Sequence, residues 1–345
     1  MKKWHAFSCI KNREIHRDGI SESLWESFFN DQGPSSTTYT NNQKVDLSSY
    51  EDFYLSISNF IELSNSVVNV SKSGLRFLHC RCSFKNCSKS DGKSGGAILY
   101  QGNSAIVQYQ FCSIGCFLTR GTWAQHSYTV LAKNSQFHND IIESTLFSCG
   151  RNYETYATLF LKYGEVQFLN NNVSNCKSKQ YLGYRIEYGS GNFSYCTIES
   201  NSENPGDGCL LHDYPSIAKM SHFNVINNTN KDKYLIWSLA DAKLTVEDCV
   251  ILNNDVKYAF YLSNDHQDAG YLIVIHCYTD NSLVTQTRGV VDLSRISTNS
   301  FINMNEHLNL GECQTRLFKN DIVNNIIHHS RNNLTFFSSL FENVI

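Results

Sequence analysis

His79, Cys80, Cys82 and Cys87 form the densest group of metal-ligand residue types in the chain. A zinc site needs such donors to converge, commonly through a Cys-x-x-Cys pair. That pair is missing here, and along a strand these residues alternate between opposite faces, so no zinc site is expected. Glycoside cleavage would draw on acids such as Asp207, Asp213, Asp241, Glu247 and Asp248, because that chemistry needs two carboxyl groups flanking one bond. These five fall at different points of the local sequence pattern, as solvated turn residues do, and they assemble no acidic cluster for calcium. His212-Asp213 is the one adjacent pair of catalytic type, and it stands where a strand ends before Pro215. Arg185-Ile-Glu and Arg295-Ile-Ser match the pectinase-type Arg-Ile-Lys only in part, and neither Asp-Asp nor Gly-His-Gly occurs. No catalytic, cofactor-binding or metal-ligating set is therefore expected. The remaining chemistry is aromatic: Phe, Trp and Tyr make up 13% of the chain, and Tyr128, Tyr156, Tyr234 and Tyr258 open successive or near-successive repeats. Stacked outside, such rings grip sugars or proteins; stacked inside, they fill a core.

The elements that position these residues follow from a repeat. Cys87, Cys116, Cys149, Cys176, Asn201, Asn228, Asn254 and Ser282 are separated by 29, 33, 27, 25, 27, 26 and 28 residues. A period in the high twenties, sustained this long, is the mark of a solenoid. A second column stays in step with the first, since Cys82, Cys196, Cys249 and Cys277 each precede the mark of their coil by five residues. Within a unit, short runs such as Ala157-Thr-Leu-Phe-Leu-Lys162, Gly164-Glu-Val-Gln-Phe168 and Lys243-Leu-Thr-Val-Glu247 are rich in β-branched, aromatic and aliphatic residues and are bounded by small or polar ones. These read as strands, and no unit contains a helical run. The fold class is all-β: a right-handed parallel β-helix of about ten coils of 25–29 residues. Like residues then stack on like. Asn can bond its amide to the coils on either side, and Cys serves as a small apolar filler, so both columns read as structural ladders.

Composition bounds the rest. Three prolines in 345 residues suit a body of hydrogen-bonded strands. A net charge of −3 with interspersed signs excludes a basic nucleic-acid surface. No run of eighteen apolar residues occurs, so no transmembrane helix is expected, and Met1 to Arg13 turns polar too early for a signal-peptide core. Thirteen cysteines, an odd number lying mostly at stacked positions, read as apolar thiols rather than a disulfide framework. The sequons at Asn69, Asn86, Asn172, Asn192, Asn227 and Asn333 match what so asparagine-rich a sequence produces by chance.

Two domains are expected, an N-terminal cap and loop over 1–50 and the β-helix over 51–345. Ser23 and Glu26 form a capping box for a short helix with Leu24, Trp25, Phe28 and Phe29 on one face, expected to cover the open end of the first coil. Asp31 to Asp46 reads as a surface loop. After Ser282 the next match, Leu317-Phe-Lys-Asn-Asp321, comes 39 residues from the mark, so Gln286 to Glu312 carries an insertion or a degenerate coil. Leu334 to Ile345 starts a coil and stops inside it, which suggests a truncated end or one covered by a partner.

Ser94-Gly-Gly-Ala-Ile98, with Phe84-Lys-Asn-Cys87, Phe168-Leu-Asn-Asn171 and Phe318-Lys-Asn-Asp321, resembles the GGAI and FxxN repeats of polymorphic outer membrane proteins. The arrangement, with Gly191-Asn-Phe-Ser-Tyr-Cys-Thr-Ile198, also looks like the β-helix repeat proteins of trichomonad-type protists. The resemblance covers roughly residues 50–345. It implies the β-helix and a cell-surface or adhesion role, and it carries over no catalytic residue. The expected function is therefore a non-enzymatic interaction protein whose partner is a protein or a glycan. A polysaccharide lyase or hydrolase of the pectinase type and a rigid spacer are the alternatives.

Overall fold

The computed structural model describes residues 20–295 except 40–41, 91–94, 120–122, 134–135, 151–154, 204–207, 214–216, 240, 264–269, 281–283 and 287–289. Ser282, Asp207, the Leu317–Asp321 match and the C-terminal partial coil lie outside the described residues.

Short strands of alternating character stack in register and parallel, each coil on the one before. Sheet 1 has ten strands, from Asp52–Ser56 to Val290–Arg295, and sheet 2 has nine, from Asn59–Ile61 to Tyr278–Thr279. Sheet 3 starts at Val68–Ser71 and carries the longest strands, Thr229–Leu239 and Asp255–Ser263. In sheets 1 and 2, spatial order equals chain order, and every named pairing is parallel. This is a parallel β-helix. One continuous apolar core runs along its axis, lined by inward residues such as the in-register row Ile141, Phe168, Phe193, Met220, Val246 and Val274 of sheet 1.

Two corners of each coil turn through a single left-handed residue. Between sheets 1 and 2 these residues are Ile57, Arg81, Gln110, Glu143, Asn170, Tyr195, His222, Asp248 and His276, all with φ between 46° and 57°. Asn170, His222, Asp248 and His276 are of types enriched in this region, and the stack itself holds the other five there. From Ile57 to Asp248 each backbone N–H at this corner donates to the next coil, as Arg81 does to the Tyr109 carbonyl and Tyr195 to that of Ser221. Glu62, Asn86, Gly115, Ser148, Asn175, Ser200, Asn227 and Asn253 do the same work between sheet 2 and the run toward sheet 3.

The expected N-terminal helix spans Ile20–Phe29. It does not cover the end of the first coil, which corrects the sequence-based expectation. Instead, Leu24, Trp25, Phe28 and Phe29 lie on the outer face of sheet 1, against Tyr54, Leu78, Cys80, Val107 and Tyr109. That outward row is apolar over three coils and needs a cover of its own. The end is closed by part of the segment expected to be a loose loop. Thr37 bridges to Leu55 of sheet 1, the Asn42 side chain bonds both the N–H and the C=O of Ile61 in sheet 2, and Val45 bridges to Val68 of sheet 3. Tyr39, Val45 and Leu47 turn inward onto the core. The segment therefore satisfies the exposed edges of all three sheets, which a helix laid across the end could not do.

The glycine pair of the GGAI segment is explained by close approach. A Cβ on Gly96 would stand 2.3 Å from the Gln125 carbonyl and 2.6 Å from that of Phe117, and one on Gly95 would stand 1.9 Å from the Ile98 carbonyl.

Candidate functional site

Both ladder columns occupy one kind of place, the residue just after a left-handed corner, where the side chain points inward. Cys87, Cys116, Cys149, Cys176, Asn201, Asn228 and Asn254 follow the second corner, and all are buried. Each donates to the carbonyl of the middle sheet-2 residue one coil back, as Cys87 does to Phe60, Cys116 to Phe84, Cys149 to Ser113 and Cys176 to Leu146. Asn201, Asn228 and Asn254 repeat this to Val173, Ile198 and Val225 at 2.8–2.9 Å. Cys82, Cys196, Cys249 and Cys277 follow the first corner and donate to Leu55, Phe168, Met220 and Val246. Asn171 belongs to the same column, with its amide 2.7 Å from the Ile141 carbonyl, and so does Ser144, whose N–H bonds Asn171. A search for repeated Cys misses both. Among the described residues nine cysteines are buried free thiols, and Cys112 is disulfide-bonded. Burial raises the Cys80 thiol to about 12 and lifts those of Cys82 and Cys196 further. Both columns line the interior of the corners, where their thiols are buried and bonded to neighbouring coils.

The metal-like group is dispersed. His79 points into the core, 3.4 Å from Gln108, while Cys80 lies under the helix, and Cys82 and Cys87 belong to different corners. His212 is fully buried, with Nε2 3.0 Å from the Tyr184 hydroxyl, so it is a core residue. Glu247 pairs with Lys219, and Asp248 lies between His222 and His276.

The structure resolves which side the tyrosines take. Leu159 and Leu161 enter the axial core, so Phe160 between them faces out. In register across sheet 3, Tyr128, Phe160, Arg185, Trp237 and Tyr261 form an outward row. Tyr181, Tyr234 and Tyr258 stand beside it, with Trp123 and Tyr156 at its start. The rings run as a chain. Tyr128 stacks on Phe160 at 4.9 Å and Tyr234 on Tyr261 at 3.8 Å, while Trp237 lies 6.4 Å from Tyr181. Ala157, Tyr181, Tyr156, Trp237 and Leu239 form a cluster separate from the axial core.

Charged groups are set into this face. The Arg185 guanidinium lies 4.9 Å from the Tyr181 ring centre, 5.6 Å from that of Phe160 and 5.9 Å from that of Trp123. Glu187, 4% exposed at its side chain, pairs with Arg185 through one oxygen and with Lys162 Nζ through the other at 2.7 Å. Partial burial pulls the Lys162 ammonium down, but its bond to Glu187 raises it above its ordinary value overall. Burial likewise raises the Tyr128 hydroxyl. The face combines stiff aromatic area with a fixed ion cluster, and two-torsion side chains lose little freedom when covered. Sequence reasoning missed Trp123, Lys162, Glu187 and Trp237 and met Arg185 only as part of a broken motif. The recurring Tyr-x-x-aromatic of Tyr234-x-x-Trp237 and Tyr258-x-x-Tyr261 was the available signal.

No protein-family model and no curated protein matches this chain. The parallel β-helix that the repeat resemblance implies is present, and kinship with the polymorphic outer membrane proteins rests on the sequence likeness alone. Among the described residues no helix is long and apolar enough to cross a membrane.

Proposed function

We propose that the protein is a non-enzymatic binding scaffold that holds a partner protein against the outer face of sheet 3. The observation that carries this reading is the aromatic chain from Trp123 to Tyr261, with Arg185 set into it, outside the axial core. Trp, Tyr and Arg are the residues most often found to dominate binding energy between proteins. A protein suits this face better than a glycan, because the rings stack on one another. Their faces are occupied by neighbours, which leaves edges and polar groups to meet a partner, whereas a sugar ring needs an open aromatic face. Binding in place of catalysis is supported by the state of the acids, since Glu187 and Glu247 are engaged by cations. The likeness to polymorphic outer membrane repeats agrees with an adhesin-like role at a surface.

The test places a photo-crosslinking amino acid at Trp237 or Tyr258 in the full chain, expressed in its native cells, with Thr245 on the outer face of sheet 1 as control. A defined protein crosslinked from sheet 3 only, and lost on Arg185→Ala, is the expected result. Equal crosslinking from Thr245 would refute the assignment of the face. Absence of any partner would favour a spacer, and binding on a glycan array abolished by Trp237→Ala would make the ligand a sugar.

A further inference from the structure

The two longest strands of sheet 3, Thr229–Leu239 and Asp255–Ser263, carry four rings in a compact array. Residues three apart on a strand ordinarily face opposite ways. Here two successive residues of each strand enter the axial core, Leu235 with Ile236 and Ala259 with Phe260. Tyr234 and Trp237 therefore come out on one face, and Tyr258 and Tyr261 come out beside them. In register, Tyr234 lies opposite Tyr258 and Trp237 opposite Tyr261, yet the tightest contact is the diagonal one. The Tyr234 and Tyr261 ring centres are 3.8 Å apart with planes at 12°, against 5.8 Å and 25° for Tyr234 with Tyr258. Aromatic pairs usually stand roughly 4.5–7 Å apart. At 3.8 Å, ring carbons of two consecutive coils are in direct contact.

We propose that Tyr234 and Tyr261 are a site of oxidative modification, where hydrogen peroxide acting through a haem peroxidase joins the two rings as dityrosine. Each phenol loses one electron and one proton, and these together convert one hydrogen peroxide to two waters. The two phenoxyl radicals then pair their electrons in one new bond between ring carbons ortho to the oxygens. The hydrogen on each of those carbons leaves as a proton, and a proton returns to each oxygen, which restores both phenols and both aromatic rings. The product is the two side chains less two hydrogens.

The stacked geometry suits this step. While the bond forms, each ortho carbon becomes tetrahedral, so the new bond leaves its ring perpendicular to the ring plane. Near-parallel rings at van der Waals distance present those faces to each other, which edge-to-face pairs do not. Trp237 lies 5.8 Å from Tyr234 and 5.7 Å from Tyr261, so an electron lost from the indole can be replaced from either tyrosine. All four rings are partly exposed, and an oxidant reaches them without opening the core. The bond would staple two consecutive coils, restricting the unfolded chain as a disulfide does. The proposal rests on the ring geometry alone and holds whether or not a partner protein binds sheet 3.

The experiment treats the purified full chain with a haem peroxidase and one equivalent of hydrogen peroxide. Monomer is recovered, its dityrosine fluorescence is recorded, and the crosslinked peptides are sequenced by mass spectrometry. The expected product is one dominant intramolecular crosslink between Tyr234 and Tyr261, two hydrogens lighter than the separate peptides, in a protein that melts at a higher temperature. Tyr234→Phe and Tyr261→Phe should each abolish that crosslink while leaving the melting curve of the untreated protein unchanged. Tyr258→Phe should leave the yield as it was. Tyr195 is the control for simple accessibility, since it is 46% exposed and stacks on His222 rather than on another tyrosine. Crosslinks through Tyr258 or Tyr195 in equal or greater yield would overturn the proposal. So would crosslinks found only between molecules, or a monomer that gains none.

Discussion

The side-chain oxygen of Asn228 accepts two hydrogen bonds from Asn201 one coil earlier, from its backbone N–H at 3.1 Å and from its amide at 3.0 Å. Asn254 repeats the arrangement on Asn228 at 2.9 and 3.0 Å. Asn228 therefore accepts from the coil before it through its side-chain oxygen, while its own amide donates to the Ile198 carbonyl of that coil and to Asn254 of the next, all in a buried site. Leaving a buried donor unsatisfied costs about 1–3 kcal/mol. Asn228→Ala strands donors of Asn201 and should lower stability by about 2–4 kcal/mol. Cys176→Ala, which removes only a weak S–H donor and a little volume, should lose about 1 kcal/mol. Urea unfolding midpoints measure both, and an Asn228→Ala protein as stable as Cys176→Ala would show that the ladder is filler.

The same geometry explains what could be read in the chain and what could not. The columns show in the sequence because the inward position after each left-handed corner accepts few residue types, so Cys and Asn recur there. Ser144, Phe111 and Phe223 occupy the first-corner column too, yet they break the letter pattern while keeping the place. The position of the helix was not legible, because it depends on Tyr54, Leu78 and Val107 lining up outward on three coils, which requires the register. The side taken by the aromatics was within reach, since Leu159 and Leu161 on either side of Phe160 give the phase of the strand. Arg185 and Glu187 gave no signal, because an ion pair between residues two apart looks like any solvated strand edge.

Gly96 and Gly74 separate two reasons for glycine. Gly74 has φ +81° with nothing near its missing Cβ, whereas Gly96 is walled in by the carbonyls of Gln125 and Phe117. Alanine at 74 meets only left-handed backbone strain, about 1–2 kcal/mol. At 96 the backbone of two coils must separate, and the loss should reach about 3 kcal/mol or more. Thermal melting of the two variants decides this, and equal shifts would mean that the coils around Gly96 yield easily.

Three histidines are locked in the core as neutral rings. Burial lowers His79 to about 3, against a smaller opposing effect of Gln108, and lowers His126 to about 4 and His212 to about 3, from an ordinary 6.5. The unfolded chain takes up these protons near 6.5 and the fold does not. Their contribution is therefore intact above about 6.5 and is lost as pH falls toward 4 and then 3, at up to roughly 1.4 kcal/mol per pH unit for each ring. Urea midpoints should fall steeply between pH 6.5 and 4.5. His212→Gln, which keeps an acceptor for Tyr184, should remove roughly a third of that slope. A slope unchanged by the substitution would place the acid sensitivity elsewhere.

Trp25 tests whether the helix is part of the fold or an accessory to it. Its ring is fully buried, Nε1 donates to Asp31 at 2.9 Å, and Arg76 lies 5.3 Å above it while pairing with both Asp31 and Asp52. Trp25→Ala removes the anchor of a ten-residue helix, too short to persist alone, so the helix should detach from sheet 1. Large aromatic-to-alanine changes in a core cost about 3–5 kcal/mol. The loss here should be at the lower end, about 3 kcal/mol, because the β-helix and its end-closing segment over residues 37–47 do not need the helix to form. The diagnostic is hydrogen exchange. Tyr54, Leu78 and Val107 are ladder residues of sheet 1, so their amides should stay protected while those of Ile20–Phe29 exchange freely and the outward row binds a hydrophobic dye. Collapse of protection across sheet 1 would instead make the helix necessary for the first three coils to stack.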